Sequence, residues 1–137
     1  MSEQENTALV QQAYNCFKIG NIPALLELLS EDVTWQLPDM AGIPFAGKRT
    51  GRDGVGEFFA SLAANQDAIR FEPREFVAQG NKVVSLGEYE WRVKATDRQV
   101  ASEFAHVFTI RNGKIVDFQE YMDTAVCINA HQKAMTA

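Results

Sequence analysis

Apolar residues recur along this chain with two different periods, helical near the start and alternating in the second half. Residues 7–19 have the three- and four-residue spacing of a helix, which Gly20 is expected to end. Asn21 can cap a second short helix that has Pro23 in its first turn. A third helix is predicted after residues 51–54, and its apolar stripe consists of Val55, Phe58, Phe59 and Leu62.

Strand patterns dominate from residue 68 onward and are preceded by one early strand. The early strand, at residues 32–37, alternates apolar and polar side chains. Two further strands are predicted at residues 69–78 and 82–94, and a hairpin at residues 103–123. Helices followed by a meander of long antiparallel strands are typical of an α+β domain, in which a curved sheet can wrap around the helices.

Two segments outside these elements also carry apolar residues. The loop at residues 38–51 contains Met40, Ile43 and Phe45, which is more apolar than an exposed loop usually is. It is either a lid or pocket wall, or a loop that packs on the core. The tail from Thr124 is weakly helical and can complete a pocket or mediate dimer contacts.

The hairpin at residues 103–123 carries the most informative polar residues. Asn112 and Gly113 predict a type I′ turn, which needs positive φ at both central positions. Since strand side chains alternate, the pattern groups these residues on the apolar faces of the two strands: Phe104, His106, Phe108, Phe118, Glu120 and Met122. His106 and Glu120 are therefore titratable groups on faces that are otherwise apolar.

The composition indicates one globular, acidic domain. The chain has 137 residues, of which 46% are hydrophobic and 23% charged. Its net charge of -5 makes a nucleic-acid surface improbable, because phosphate binding needs a basic patch. The polar N-terminus resembles no signal peptide, and no apolar run is long enough to span a membrane. We therefore expect a soluble, cytoplasmic protein without a membrane partner.

Cysteine, histidine and glycine spacing argues against metal and nucleotide sites. Cys16 and Cys127 are far apart, so we expect two buried thiols in a reducing compartment, with neither zinc nor disulfide. The two histidines cannot form a three-histidine site, and His131 is expected to be solvated in the tail. The glycines at residues 51–56 lack the preceding strand of a dinucleotide fingerprint. We expect neither a metal nor a cofactor.

Several stretches together are typical of a known family. They are Gly20-Asn21, Ala24-Leu25-Leu26 up to Asp32-Val33-Thr34-Trp35, Gly51-Arg52-Asp53-Gly54-Val55 before Phe58-Phe59, and the closing hairpin. Through them nearly the whole chain resembles the nuclear transport factor 2-like superfamily, within it the SnoaL-like and ketosteroid-isomerase-related group. This resemblance implies a cystatin-like conical barrel, in which a strongly curved, mostly antiparallel sheet packs around three N-terminal helices. It also implies one deep pocket and, commonly, a homodimer.

The expected domain is a single SnoaL-like unit over residues 1–137. Residues 1–6 and about 130–137 are expected to be flexible tails. No internal repeat, low-complexity segment or second domain is indicated.

The resemblance carries functional residues over only in part. Leu37 stands where steroid isomerases have their carboxylate base, and Tyr14 lies within one position of their oxyanion tyrosine. His106 takes the place of their protonated aspartate. In limonene epoxide hydrolases the Arg-Asp-Asp set corresponds to Phe104, His106 and Glu120 here, whereas the base of SnoaL-like cyclases corresponds to Glu120. Standard steroid isomerisation and standard epoxide hydrolysis are both put in question.

The resemblance places His106 and Glu120 in the same interior, where two chemistries stay open. A hydrogen bond between them would fix the imidazole tautomer, and the free ring nitrogen would then take a proton α to a carbonyl or activate water. Alternatively Glu120 is the base, and His106 stabilises an oxyanion. A third interpretation is a satisfied buried polar pair without turnover.

We therefore predict a cofactor-independent acid/base enzyme of the isomerase, cyclase or hydrolase type, acting on a small hydrophobic carbonyl or epoxide compound. The alternative is a non-catalytic small-molecule binder or dimerisation module. His106 and Glu120 are the predicted catalytic residues, and Asp123, on the other face, is expected to bind backbone or a helix end. The predicted substrate-binding residues are Tyr14, Trp35, Leu37, Phe59, Trp91, Phe104, Phe108, Phe118 and Met122.

Overall fold

The computed structural model describes residues 2–132, which form four helices and six strands. In chain order these elements are α1 (Glu3–Lys18), α2 (Ile22–Glu27), β1 (Leu29–Gln36), β2 (Lys48–Thr50), α3 (Gly51–Asn65), β3 (Gln66–Gln79), β4 (Lys82–Val93), β5 (Gln99–Arg111), β6 (Lys114–Met122) and α4 (Thr124–His131). The predicted order of helices and strands is confirmed. The three-residue strand β2, which lies inside the predicted loop, is an addition.

All six strands belong to one sheet in the order β2-β1-β6-β5-β4-β3. Neighbouring strands are antiparallel except β1 and β6, which are parallel. The register of β3 against β4 shifts between Ala68 and Arg70 and again between Pro73 and Glu75. Such irregularities bend a strand and increase its twist. The predicted α+β class, with a curved sheet around N-terminal helices, is confirmed.

Gly87 on β4 makes the close approach at the second bend possible. It pairs with Pro73 of β3, and a Cβ atom at Gly87 would lie 2.8 Å from the Pro73 Cα and 2.7 Å from the Phe104 ring. Real Cβ atoms do not come that close to other heavy atoms. The missing side chain thus leaves the space in which the Phe104 ring covers β4.

The predicted hairpin turn is confirmed. Asn112 and Gly113 have φ values of 51° and 74°, as a type I′ turn requires. Beyond a one-residue register shift between Thr109 and Ile110, His106 of β5 and Glu120 of β6 are direct neighbours. The core fills the space between this side of the sheet and the helices α1 and α3, which bury their apolar stripes there.

The first helix begins earlier than its apolar pattern indicates. The sequence predicted a helix from residue 7 and a flexible tail before it, but residues 3–6 form the first helical turn. The Ser2 hydroxyl accepts from the Glu5 N–H, and the Glu5 carboxylate accepts from the Ser2 N–H. This capping box satisfies backbone N–H groups at the start of the helix that have no partner within it. At the other end α4 includes residues 130 and 131, while residues 133–137 of the predicted tail lie outside the described part.

The loop after β1 packs inward. Met40, Ile43 and Phe45 are all buried in the core, and Phe45 also reaches a cavity between the sheet and the helices. Both interpretations of this loop therefore apply, to different residues. Among residues 2–132, no helix combines the length and the apolar character needed to cross a membrane.

Candidate active site

His106 and Glu120 contact each other inside the sheet's concave side. The antiparallel register of β5 and β6 places them directly opposite each other, on strand faces that point to the core. The His106 Nε2 and the Glu120 Oε1 are 2.7 Å apart, and their side chains are 5% and 13% exposed. The predicted pair is thus brought together.

Tyr14 completes a chain of three polar groups. Its phenol, carried by α1, lies 2.7 Å from the His106 Nδ1. Both ring nitrogens of His106 are consequently engaged, one by Tyr14 and the other by Glu120. His106 could act as the base, as one interpretation has it, only after its contact with Tyr14 opens. The Glu120 Oε2, in contrast, makes no hydrogen bond to any residue between 2 and 132.

Aromatic rings hold the imidazole in place. Phe104 stacks on His106 with the ring centres 4.1 Å apart, and Phe118 packs edge-on at 4.8 Å. Phe108 and Tyr14 also lie within aromatic contact distance. Because these rings leave little room for water around the imidazole, its orientation is set by packing as well as by hydrogen bonds.

An apolar cavity of about 80 Å³ adjoins the Tyr14–His106–Glu120 chain. All the predicted substrate-binding residues line it except Phe104: Tyr14, Trp35, Leu37, Phe59, Trp91, Phe108, Phe118 and Met122. The prediction that Phe104 binds the substrate is wrong, because its ring packs against the His106 ring and does not line the cavity. In its present size the cavity has room for roughly five water molecules or a small organic group.

Further lining residues were not among the predicted set: Ala13, Phe17, Leu25, Phe45, Phe58, Leu62, Gln66, Phe71, Tyr89, Val100 and Cys127. Most of them lie on the apolar faces of the predicted helices and strands. Their burial was therefore expected, but their position in the wall of a cavity was not. Gln66 is different, because it is a buried polar residue at the junction of α3 and β3 and no periodic signal marks it.

The weak acids near Glu120 are held in their neutral forms. Burial raises the pKa of the Tyr14 phenol and of the Tyr89 phenol above the usual range, and the negative charge of Glu120 raises both further. Burial, with the same charge, raises the pKa of the Cys127 thiol to about 12. Cys127 is therefore an unreactive thiol at neutral pH, as its predicted burial implied.

The two remaining predicted polar residues have structural positions. Asp123 caps α4, because its Oδ1 accepts from the Val126 N–H at 3.1 Å, which confirms its expected helix-end role. The expectation that His131 is solvated is wrong: its Nδ1 donates to the Cys127 carbonyl at 2.8 Å, and its ring packs edge-on against Phe45. Within residues 2–132, no three His, Cys, Asp or Glu side chains cluster closely enough to hold a metal ion.

The protonation of His106 decides where the Tyr14 proton points. When the imidazole is neutral and its Nε2–H donates to Glu120, the Nδ1 accepts the Tyr14 O–H. When the imidazole carries both protons, its Nδ1–H donates to the Tyr14 oxygen, and the phenolic proton becomes available to the cavity. The second state combines a free carboxylate oxygen with a free O–H donor.

Comparisons with known proteins agree on the family. The family model of the SnoaL-like domain matches residues 10–118. A solved NTF2-like protein from Burkholderia xenovorans LB400 is 30% identical, with 96% of this chain and 99% of that chain covered and a TM-score of 0.88. An NTF2-like protein of unknown function from Burkholderia pseudomallei K96243 is also 30% identical, with 95% and 98% covered and a TM-score of 0.86.

A third solved structure contains a small molecule. TerC, co-crystallised with polyporic acid, is 26% identical, with 92% of this chain and 97% of that chain covered and a TM-score of 0.80. No protein of curated function matches the sequence at significant similarity.

Proposed function

The chain belongs to the SnoaL-like domain family, as its sequence resemblance predicted, and we propose that it is a cofactor-independent acid/base enzyme of the isomerase, cyclase or hydrolase type. Its substrate would be a small hydrophobic carbonyl or epoxide compound. The observation that carries the proposal is the unbonded Glu120 Oε2 beside an aromatic-lined cavity, with the other oxygen held by His106 at 2.7 Å.

Glu120 is the proposed general base. Because its Oε1 accepts the His106 N–H, the carboxylate has a fixed orientation, and its Oε2 is free to take a proton from the carbon next to a carbonyl. The electron pair of the broken C–H bond moves to the carbonyl oxygen, giving an enolate. In an isomerisation the same carboxyl group returns the proton to another carbon.

Tyr14 is the proposed donor to the enolate oxygen. It lines the cavity, and in the state in which both ring nitrogens of His106 carry protons, the phenolic proton points away from the imidazole. His106 thus acts through its two neighbours and is a positioning residue. This replaces the alternative in which the imidazole itself contacts the oxyanion.

The similarity to TerC supports a small organic ligand. That protein was co-crystallised with polyporic acid, and we extend to this chain only the expectation of a small organic ligand in the cavity. The predicted homodimer remains a prediction from the family resemblance.

Non-catalytic binding is the second candidate function. Leu37 lies in the cavity wall. By the sequence resemblance it stands at about the position of the steroid isomerases' base, and a leucine cannot accept a proton. A binder of the same fold would use the apolar walls without turnover.

Deuterium exchange separates the two functions. A panel of small ketones, including acetophenone, is incubated with the protein in D₂O, and loss of the α-proton signals is followed by NMR; epoxide opening is followed in parallel. The enzyme proposal expects exchange or opening above buffer that is abolished in Glu120→Gln and in the folded double variant His106→Ala/Glu120→Gln. Retained turnover in that double variant rejects the assigned residues. Ketones that bind and are recovered unexchanged favour the binder.

A further inference from the structure

Ser85 is a buried polar residue that the Tyr14–His106–Glu120 chain does not include. It is 0% exposed, and its Oγ makes no hydrogen bond to any residue between 2 and 132. It lies on the core-facing side of β4, to which Val83 and Trp91 also belong. A buried hydroxyl without a partner costs free energy comparable to a lost hydrogen bond, and such groups are rare in folded proteins. Its partner is therefore to be sought among the polar side chains beside it.

The strand pairing places Ser85 in one row with the two strand residues of the site. Ser85 is directly opposite His106 of β5, and His106 is directly opposite Glu120 of β6. On its other side Ser85 is opposite Phe76 of β3. Residues that are directly opposite each other have Cβ atoms only about 4.5–5.5 Å apart. The serine side chain is thus an immediate neighbour of the imidazole.

Tyr14 lies over Ser85. The centre of its ring is 6.0 Å from that of Phe76 and 5.9 Å from that of His106, which are the two neighbours of Ser85 in the row. A ring in contact with both covers the position between them, where the short serine side chain leaves room for it. The His106 Nε2 faces Glu120 on the β6 side, and the Nδ1 contacts the Tyr14 oxygen at 2.7 Å. Because the two nitrogens point away from each other, the Tyr14 oxygen lies toward β4.

The phenol oxygen has the hydrogen-bonding capacity that Ser85 lacks elsewhere. Both nitrogens of His106 are engaged, by Tyr14 and by Glu120. The phenol oxygen can accept a hydrogen bond in addition to the one that the phenol donates. The two groups also influence each other electrostatically: burial raises the pKa of the Tyr14 phenol, and the Ser85 hydroxyl lowers this pKa in part.

We propose that the Ser85 hydroxyl is the second hydrogen-bond partner of the Tyr14 phenol, which extends the polar chain to four members. The hydroxyl donates to the phenol oxygen when the phenol gives its proton to another group, and it accepts that proton when the cavity holds no acceptor. Ser85 acts through Tyr14 and is therefore a positioning residue. The contact itself does not depend on the proposed function, whereas its effect on turnover rests on it.

The contact increases the strength of Tyr14 as a donor. A hydrogen bond to the phenol oxygen stabilises negative charge on that oxygen, so the phenolic O–H becomes a stronger donor to an enolate. It also restricts rotation of the phenolic O–H before the substrate arrives. Ser85 thereby adjusts both the direction and the acidity of the proposed donor without touching the substrate.

A double-variant cycle on stability tests the contact without any substrate. Ser85→Ala removes the hydroxyl and Tyr14→Phe removes its partner, and the midpoint of urea denaturation is measured for both single variants and for the double variant. If the groups are bonded, Ser85→Ala lowers the midpoint in the wild-type background but not in Tyr14→Phe, where the hydroxyl has already lost its partner.

Ser30→Ala is the matched control for this cycle. The Ser30 Oγ is also buried and unpaired among residues 2–132, but Ser30 lies on β1, which is three strands away from β4 in the sheet. The same chemical change should therefore have the same effect on the midpoint in the wild-type and Tyr14→Phe backgrounds.

Turnover tests the positioning role. In Ser85→Ala we expect kcat for α-proton exchange to fall roughly fivefold to tenfold with KM unchanged, as the loss of one neutral hydrogen bond implies. Ser85→Thr keeps the hydroxyl and should restore kcat, and Ser30→Ala should leave it unchanged. In the Tyr14→Phe background Ser85→Ala should not reduce kcat further, whereas a loss of packing alone would reduce it in both backgrounds.

Two results overturn the proposal. Additive midpoints for Ser85→Ala and Tyr14→Phe show that the two hydroxyls do not interact, whatever the activity. Equal kcat values of Ser85→Ala and the wild type show that the contact has no role in turnover. Coupled midpoints in a protein that exchanges no α-protons uphold the contact and reject the enzyme, so the two failures are distinguishable. If Ser85→Thr does not fold, the comparison of Ser85→Ala with Ser30→Ala still decides both questions.

Discussion

Tyr14 and His106 are hydrogen-bonded at 2.7 Å across 92 residues of sequence, from the first helix to the fifth strand. This contact occupies the one imidazole nitrogen that the Glu120 pair leaves free. It moves the expected base from His106 to the unbonded oxygen of Glu120, and it gives Tyr14 a part in the chemistry beyond lining a pocket. The docking of α1 on the sheet is therefore a condition for the site.

Tyr14→Phe should slow turnover far more than it weakens binding. The variant keeps the ring but loses the proposed donor to the developing oxyanion, so we expect kcat for α-proton exchange to fall about 100-fold with KM changed little. Tyr121→Phe is the control, because Tyr121 is 52% exposed and lies outside the cavity.

NMR of His106 tests the role of the Tyr14 hydroxyl without any substrate. The ¹⁵N resonances of His106 report which of its ring nitrogens carry protons, and Tyr14 contacts one of the two, the Nδ1. They should change in Tyr14→Phe and not in Tyr121→Phe. Unchanged resonances together with full turnover would contradict a role for the Tyr14 hydroxyl.

His106→Ala should destabilise the fold as well as the site. It leaves the Tyr14 hydroxyl and the Glu120 Oε1 without their partner and opens a void among Phe104, Phe118 and the chain. Cavity formation and unpaired buried groups together suggest a loss of about 2–4 kcal/mol in the free energy of unfolding, measured by urea denaturation.

The double variant His106→Ala/Glu120→Leu isolates the part due to the unpaired carboxylate. Adding Glu120→Leu to His106→Ala should restore about 1–2 kcal/mol, because the buried carboxylate is then gone. If the two substitutions are simply additive, the carboxylate and the imidazole are not coupled in the folded protein.

Sequence pattern alone could predict the hairpin and the apolar faces that carry His106 and Glu120, but not their direct pairing. The type I′ turn at Asn112-Gly113 and the alternation of side chains give the first two. The register beside the turn, Arg111 opposite Lys114, would pair His106 with Gln119, and the shift between Thr109 and Ile110 brings Glu120 opposite His106 instead. The same alternation predicted that the Asp123 side chain would point away from the core. There it caps α4. Short-range geometry of this kind is encoded in adjacent residues.

Contacts between distant elements could not be predicted in this way. The Tyr14 contact and the cavity position of Gln66 depend on how α1 and α3 dock on the curved sheet, which apolar periodicity does not determine. The position of Phe104 could not be predicted in this way either. Alternation indicated that its side chain faces the core, but not that its ring stacks on His106 instead of lining the cavity. The early start of α1 was predictable from Ser2 and Glu5, because the spacing is that of a capping box.

Gly87→Ala should destabilise the protein although it adds only one methyl group. The new Cβ would overlap backbone atoms of Glu72 and Pro73 and the ring of Phe104, and backbone cannot move aside as a flexible side chain can. We expect a loss of about 1–3 kcal/mol in the free energy of unfolding by urea denaturation. Displacement of Phe104 should also shift the NMR signals of the stacked His106.

Gly56→Ala provides the contrasting control. Gly56 lies inside α3, where a Cβ would be in ordinary contact with Leu26 at 3.5 Å, and alanine favours a helix more than glycine does. It should stabilise the protein by about 0.5–1 kcal/mol. Equal losses from both substitutions would argue that the bend at Gly87 is not tightly packed.

Alkaline pH should unfold the protein because three buried weak acids resist ionisation in the folded state. The pKa of Cys127 is raised by burial to about 12, and burial raises the pKa of Tyr14 and that of Tyr89 as well. Above about pH 9 the unfolded chain loses these protons and the folded chain keeps them. The free energy of unfolding therefore falls as pH rises, by up to about 1.4 kcal/mol per pH unit for each group.

Absorbance at 295 nm measures this difference, since it reports tyrosine ionisation directly. At pH 10.5 the native protein should show fewer ionised residues among its three tyrosines than the urea-unfolded chain at the same pH. Tyr14→Phe should remove part of the absorbance gained on unfolding, and Tyr121→Phe should leave that gain in place because Tyr121 is exposed. Identical absorbance of the native and unfolded chains would mean that both buried phenols ionise in the folded protein, which would contradict their burial.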